Sequence, residues 1–258
     1  MTYILYFITG IAAGIVGGLL GTGGCALIMP VIRFGFDFDP AFAVGTTLFA
    51  VVFTAGAGAY KHWRMGNVDR DTALFVGLPG IFGVIIGSLV FGYLLKYKSL
   101  IDLILGLAFL FVSIRMIYEG IFLRKKGELT GTQVPGKKKN QGILGGCIGF
   151  LTGIIGLGGG YALVPSFIYF FRSPTKIAIG TSMASFIWIA LLGAIIKMFQ
   201  NVVNIQAGII LGVGAAIGAI YGAALMAKFS SSTLKALFGI LFFYVSLKYI
   251  LIFFGIRI

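Results

Sequence analysis

The sequence predicts an all-α polytopic membrane protein made of two homologous repeats. Composition, recurring apolar segments and a self-match at one fixed offset carry that prediction. Of 258 residues, 59% are hydrophobic and 10% charged, with a mean hydropathy of +1.06, whereas a soluble surface needs far more charge. Apolar stretches recur along the whole chain, each long enough for the ~20 residues that cross a hydrocarbon core. Forty glycines would weaken soluble helices, yet membrane helices use glycine to approach one another closely.

The self-match is specific. At an offset of 135 positions, GLLGTGGCALIMP (18–30) aligns with GIIGLGGGYALVP (153–165) without gaps. Gly10 and Gly14 then fall on Gly145 and Gly149, Pro30 on Pro165, and Gly45-Thr46 on Gly180-Thr181. Further on, Gly77, Gly83 and Gly87 meet Gly212, Gly218 and Gly222. After a two-residue slip, Gly106, Val112, Ser113 and Ile117 match Gly239, Val245, Ser246 and Ile250. One register held over that length is a duplication, the first thing to seek in a chain.

Each copy divides into four apolar segments: 3–32, 41–60, 72–95 and 100–122, then 142–171, 177–199, 205–227 and 233–256. The domains expected are a first membrane repeat (1–123), a basic linker (124–140) and a second membrane repeat (141–258). The linker RKKGELTGTQVPGKKKN holds six cations and a Pro-Gly turn, which places it in the cytoplasm. MTYILYFITG has no basic start and no cleavage site, and reads as the first membrane segment.

The opening segment of each copy is the anomaly. It runs about thirty residues, yet Gly-x-Gly-Gly interrupts it and a proline follows. A straight helix of that length would reach ~45 Å, beyond the ~30 Å hydrocarbon core. Two solutions stay open, a broken full span or a re-entrant hairpin with the glycines at its tip. Loop charge bears on the choice. RFGFDFDP (33–40) nets −1 and its counterpart FRSPTK (171–176) nets +2. KHWRMGNVDR (61–70) carries Lys61, Arg64 and Arg70, while its counterpart QNVVN (200–204) carries no cation. Reversed bias marks inverted repeats, with three crossings and a hairpin per copy and the basic loop of each pair cytoplasmic. Lys96 and Lys98 count against it, since that model puts them outside.

Unwound backbone in a membrane must be satisfied by protein, water or ligand. The glycine runs Gly21–Cys25 and Gly156–Gly160 expose N–H groups, and a helix starting after each offers its positive end, a combination that binds anions. Tight packing alone is the plainer reading, and it suits Gly14–Gly18 and Gly149–Gly153. The candidate substrate-binding residues are Gly23, Gly24, Cys25, Gly158, Gly159 and Gly160 at the runs. Thr46, Thr47, Thr181 and Ser182 join them as hydroxyl donors at the start of the next segment. The hydroxyls have their own plainer reading, bonds to carbonyls of their own helix.

Arg115 and Lys248 coincide in the alignment, with snorkelling to an interface expected. His62 and Lys197 also coincide, at the ends of the second segments, where a histidine is expected to be solvated. The acidic residues, Asp102, Glu119 and Glu128 among them, fall in loops or near segment ends, which disfavours coupling through a buried acid. One histidine and the separated Cys25 and Cys147 offer no catalytic constellation, no metal site and no cofactor. The net charge of +13 sits in loops without the basic, aromatic-interleaved face that nucleic acid requires. The partners expected are a small anionic substrate and the lipid bilayer of the inner membrane, with room for an oligomer.

GLLGTGGCALIMPVI, AVGTT and KHWRMGNVD together resemble the sulfite exporter TauE/SafE family of membrane proteins. That family carries G-x-G-G-G-x-x-x-x-P, then G-T-S, then a basic turn ending G-N-V-D. The second copy matches in Gly156 through Pro165 and in Gly180-Thr181-Ser182. The first departs at Cys25, where glycine is usual, and at Thr47, where serine is usual. The resemblance covers essentially the whole chain and implies export of sulfite, sulfonates or related sulfur-containing anions. A secondary carrier leads, with a passive anion channel or a carrier of another carboxylate or oxyanion as alternatives.

Overall fold

The computed structural model describes residues 2–94, 131–156, 159–226 and 228–254, with part of the stretch 96–121. Gly158, Arg115, Asp102, Glu119, Glu128 and linker residues 124–130 lie outside the described residues. Among those described there is no strand, and the well-defined helices are nine. The first half holds α1 (Thr2–Leu20), α2 (Cys25–Pro30), α3 (Pro40–Arg64) and α4 (Arg70–Leu94). The second holds α5 (Lys138–Ile155), α6 (Gly160–Tyr169), α7 (Thr175–Phe199), α8 (Ile205–Met226) and α9 (Ser231–Phe253). Among the described residues, six helices are long and apolar enough to cross a membrane, namely α1, α3, α4, α7, α8 and α9. Helix α5 begins at Lys138, so the last residues of the expected linker form its first turn.

Local chemistry sets the boundaries. Asp39 caps α3, its side chain accepting the Ala41 N–H at 3.0 Å, with Pro40 at the first helical position. Asn204 caps α8 through the Ala207 N–H, also at 3.0 Å. Both α1 and α5 stop at a left-handed glycine, Gly21 (φ 74°) and Gly156 (φ 68°). The Gly21 and Gly156 amides bond back to the carbonyls of Gly17 and Thr152. Beyond Gly21 the chain doubles back: Gly24 abuts Ala13, and the Tyr6 ring lies 4.6 Å from that of Phe36. Pro30 withholds an N–H from α2, which continues as a π-helical turn over Val31–Gly35.

Small residues let the helices touch backbone to backbone. Gly10, Gly14 and Gly18 of α1 lie on Leu211, Ala215 and Ala219 of α8, while Gly218 and Gly222 answer against Ile11 and Ile15. The same arrangement joins α5 to α4, with Gly145, Gly149 and Gly153 on Val76, Gly80 and Ser88. Each opening helix thus packs on the other half of the chain. Helices α3 and α7 run antiparallel at the centre, since Gly45 meets Val202 while Gly180 meets Asn67. The outer faces of α4 and α8 present Phe82, Leu89 and Tyr221, suited to lipid and not to water.

Candidate functional site

The two glycine runs converge on the α3–α7 pair. Gly23 adopts φ 69°, and a Cβ there would stand 2.6 Å from Val51 and 3.2 Å from the Phe186 ring. Phe186 also faces Gly159, so one aromatic ring touches both runs. Gly160 packs directly on the backbone of Gly21 and Thr22, where any side chain would collide with the Gly21 carbonyl. The runs are not copies in detail. Gly24 is left-handed at φ 79°, whereas its counterpart Gly159 is right-handed at φ −56°.

The first run is held by its own polar atoms. The Gly24 N–H reaches the Thr22 hydroxyl at 3.3 Å, and the Cys25 thiol donates to the Thr22 carbonyl at 3.1 Å. Cys25 is fully buried. The Leu27 and Ile28 amides close on the Gly24 carbonyl, as those of Ala162 and Leu163 do on Gly159. With no charged side chain in either run, the polarity there comes from backbone dipoles.

Thr46, Thr47, Thr181 and Ser182 are all fully buried at the starts of α3 and α7. The Thr46 hydroxyl accepts the Asn204 N–H and the Thr181 hydroxyl accepts the Asp69 N–H, each at 2.9 Å. Asn204 and Asp69 coincide under the repeat offset, so each half pins the helix start of the other. The Ser182 hydroxyl lies within bonding range of the Ile179 carbonyl (2.8 Å) and the Gly21 carbonyl (3.0 Å), which ties α7 to the first glycine run. Thr47 differs, because its hydroxyl has no partner. Of the residues singled out in the sequence, Gly23, Gly159 and Gly160 gather with Ser182 around the junction of the runs. Thr46 and Thr181 sit at opposite ends of the α3–α7 pair.

His62 and Lys197 correct the sequence reading. Both are fully buried, because neighbouring helices close over them, α1 over His62 and α4 over Lys197. His62 Nε2 lies 2.8 Å from the Gly18 carbonyl at the end of α1. Lys197 Nζ has no hydrogen-bond partner and rests 3.3 Å from the Phe91 ring centroid. Sequence reasoning passed over this lysine, although its coincidence with His62 at both half-ends was the signal to follow.

Comparison with known proteins accords with this architecture. The model of the sulfite exporter TauE/SafE family matches residues 6–249. The chain belongs to that family. Its relatives include the probable membrane transporter protein YunE of Bacillus subtilis, 28% identical over 91% of this chain and 92% of that protein. A probable membrane transporter protein of Xylella fastidiosa is 29% identical over 89% of both chains. YdhB of Bacillus subtilis, with the same description, is 27% identical over 84% of this chain and 86% of its own length. No solved structure matches. The protein is a multi-pass membrane protein of a TauE/SafE transporter family.

Proposed function

We propose that this TauE/SafE protein is a secondary carrier that exports a small sulfur-containing anion, sulfite or an organosulfonate, by alternating access. The anion is held between the two glycine runs, with Gly23, Gly24, Cys25, Gly158, Gly159 and Gly160 supplying backbone or close approach. Ser182 and the unpartnered Thr47 supply hydroxyls, while Thr46 and Thr181, bonded to Asn204 and Asp69 at opposite ends of the α3–α7 pair, position the helices that carry the site. The observation that carries this reading is the meeting of the runs at Phe186 and at Gly160 on Gly21–Thr22. Two helix breaks that touch inside a membrane provide oriented dipoles without a permanent charge. Such a site holds an anion loosely enough to release it.

Repeats 1–123 and 141–258 are inverted in this proposal, with the 124–140 linker cytoplasmic and α1–α2 and α5–α6 as re-entrant hairpins. Two features support it. Equivalent helices α3 and α7 are antiparallel, which a two-fold axis in the membrane plane requires. The return of Phe36 to the level of Tyr6 suits a hairpin that leaves by its side of entry.

The test is flux of sulfite and of sulfoacetate from proteoliposomes containing the purified protein. Flux that saturates with substrate and shows counterflow supports a carrier. Non-saturating flux supports a passive channel, and flux of carboxylates alone overturns the sulfur-anion assignment.

A further inference from the structure

We infer that Lys197, Ser88 and Thr152 form a second, charged anion site at the α4–α5–α7 junction, separate from the glycine runs. The choice of a sulfur oxyanion as its ligand rests on the proposed transport function, whereas the site itself does not.

The junction is defined by register. Helices α4 and α7 run parallel, with Gly77 on Ser185, Gly80 on Ile189 and Val84 on Gly193. One further turn sets Ser88 opposite Lys197, and there Gln200 donates its side-chain N–H to the Ser88 carbonyl at 2.8 Å. From the third side, a Cβ on Gly153 of α5 would stand 2.6 Å from the Ser88 amide, so Thr152 lies at the same level. Four polar atoms at this junction are buried without a hydrogen-bond partner: Lys197 Nζ, Ser88 Oγ, Thr152 Oγ1 and Gln200 Oε1.

An ammonium group carries three donors, and a hydroxyl one. Burial without acceptors is costly for each, most of all for the charge. The Phe91 face offsets part of that charge and accepts none of the N–H bonds in line. A small oxyanion supplies what Lys197 Nζ and the two hydroxyls lack, several acceptor oxygens and a negative charge in one compact group, whereas Gln200 Oε1 is itself an acceptor and does not bind it. Gln200, fixed by its bond to Ser88, orients one wall.

Fold symmetry does not demand these groups. Under the repeat offset, Ser88, Thr152, Lys197 and Gln200 correspond to Ala223, Gly17, His62 and Met65. The opposite junction therefore keeps one polar side chain, and its Nε2 is engaged by Gly18. Packing of the duplicated helices succeeds there without a cluster, so the cluster on the Lys197 side answers to something other than packing.

The experiment is a thermal-melt titration of the purified full-length protein with sulfite, sulfoacetate, nitrate and acetate. Wild type, Lys197→Met, Lys197→Arg and the pair Ser88→Ala/Thr152→Val are compared. The expected result is an anion-dependent rise in Tm for wild type that Lys197→Met reduces and Lys197→Arg partly restores, the remainder belonging to the glycine runs. The hydroxyl pair should need about ten-fold more anion for the same rise. Without anion, Lys197→Met should melt above wild type, because it removes an uncompensated buried charge. A lysine that serves only to finish α7 predicts the opposite sign. An anion response in Lys197→Met equal to that of wild type, or no response to any anion in wild type, overturns the site. A Lys197-dependent response to nitrate or acetate with none to the sulfur anions upholds the site and overturns the sulfur-anion assignment.

Discussion

The hydroxyl of Thr181 accepts the backbone N–H of Asp69 across 112 residues of chain, at 2.9 Å. Asp69 opens α4 in the first half and Thr181 lies near the start of α7 in the second, so the bond clamps the halves together. Its twin, Thr46 with Asn204, does the same at the other end of the α3–α7 pair.

Replacing Thr181 by Val keeps the shape but leaves the Asp69 N–H without an acceptor. The expected cost is about 1–3 kcal/mol, while Thr181→Ser should restore most of it. Melting of the purified variants measures this. By loosening the start of α7, which carries Ser182, the valine variant also binds anion roughly ten-fold more weakly. A variant that melts early yet binds like wild type assigns the hydroxyl to clamping alone.

Gly160→Ala drives a methyl group into the Gly21 carbonyl and the Thr22 backbone, neither of which can rotate away. Transport should fall to background even where the protein still folds. Gly66→Ala is the control: Gly66, unlike Gly160, is left-handed (φ 73°), and its Cβ would meet open space. That variant should lose only the ~1–2 kcal/mol of backbone strain and keep its flux. Equal flux in both variants would show that close contact of the two runs is dispensable.

Asp69 also holds the linker. Its carboxylate accepts from the Val134 N–H at 2.9 Å and the Thr72 hydroxyl at 2.8 Å, and Gln141 donates to the Val134 carbonyl. Asp69→Asn turns one acceptor into a donor facing a donor, at a cost of about 1–3 kcal/mol. Limited trypsin digestion should then cut the Lys-rich 124–140 stretch several-fold faster than in wild type. Unchanged digestion would mean that other contacts hold the strap.

The Asp69–Val134 bond puts the 65–69 turn and the linker at one end of the molecule, whereas Asn204 and Val202 lie at the start of α3, the other end. With inverted repeats, Met65→Cys and Lys137→Cys react with impermeant maleimide only from the cytoplasm, and Asn201→Cys only from outside. Labelling of all three from one side would sink the topology.

Much of this protein was legible before any coordinates. Hydropathy alone demands helices in a membrane, because unsatisfied backbone is too costly in lipid. The 135-residue self-match named the helices that would be equivalent. It also singled out the positions where glycine breaks or side-chain hydroxyls recur. The apolar segments 41–60, 72–95, 177–199 and 205–227 fall within a few residues of α3, α4, α7 and α8. The family followed from the same short motifs.

Tertiary structure alone decided which partner each residue met. Nothing local to Thr46 or Thr181 announces an amide 158 or 112 positions away; that pairing exists only because α3 and α7 lie antiparallel. His62 and Lys197 look like edge residues in one dimension, since hydropathy ends beside them. They are buried because neighbouring helices reach past that edge and close over them. Sequence reports what each segment tolerates, and burial is a property of the segments that surround it. The unpartnered ammonium of Lys197, on which a charged anion site depends, is visible only once those neighbours are in place.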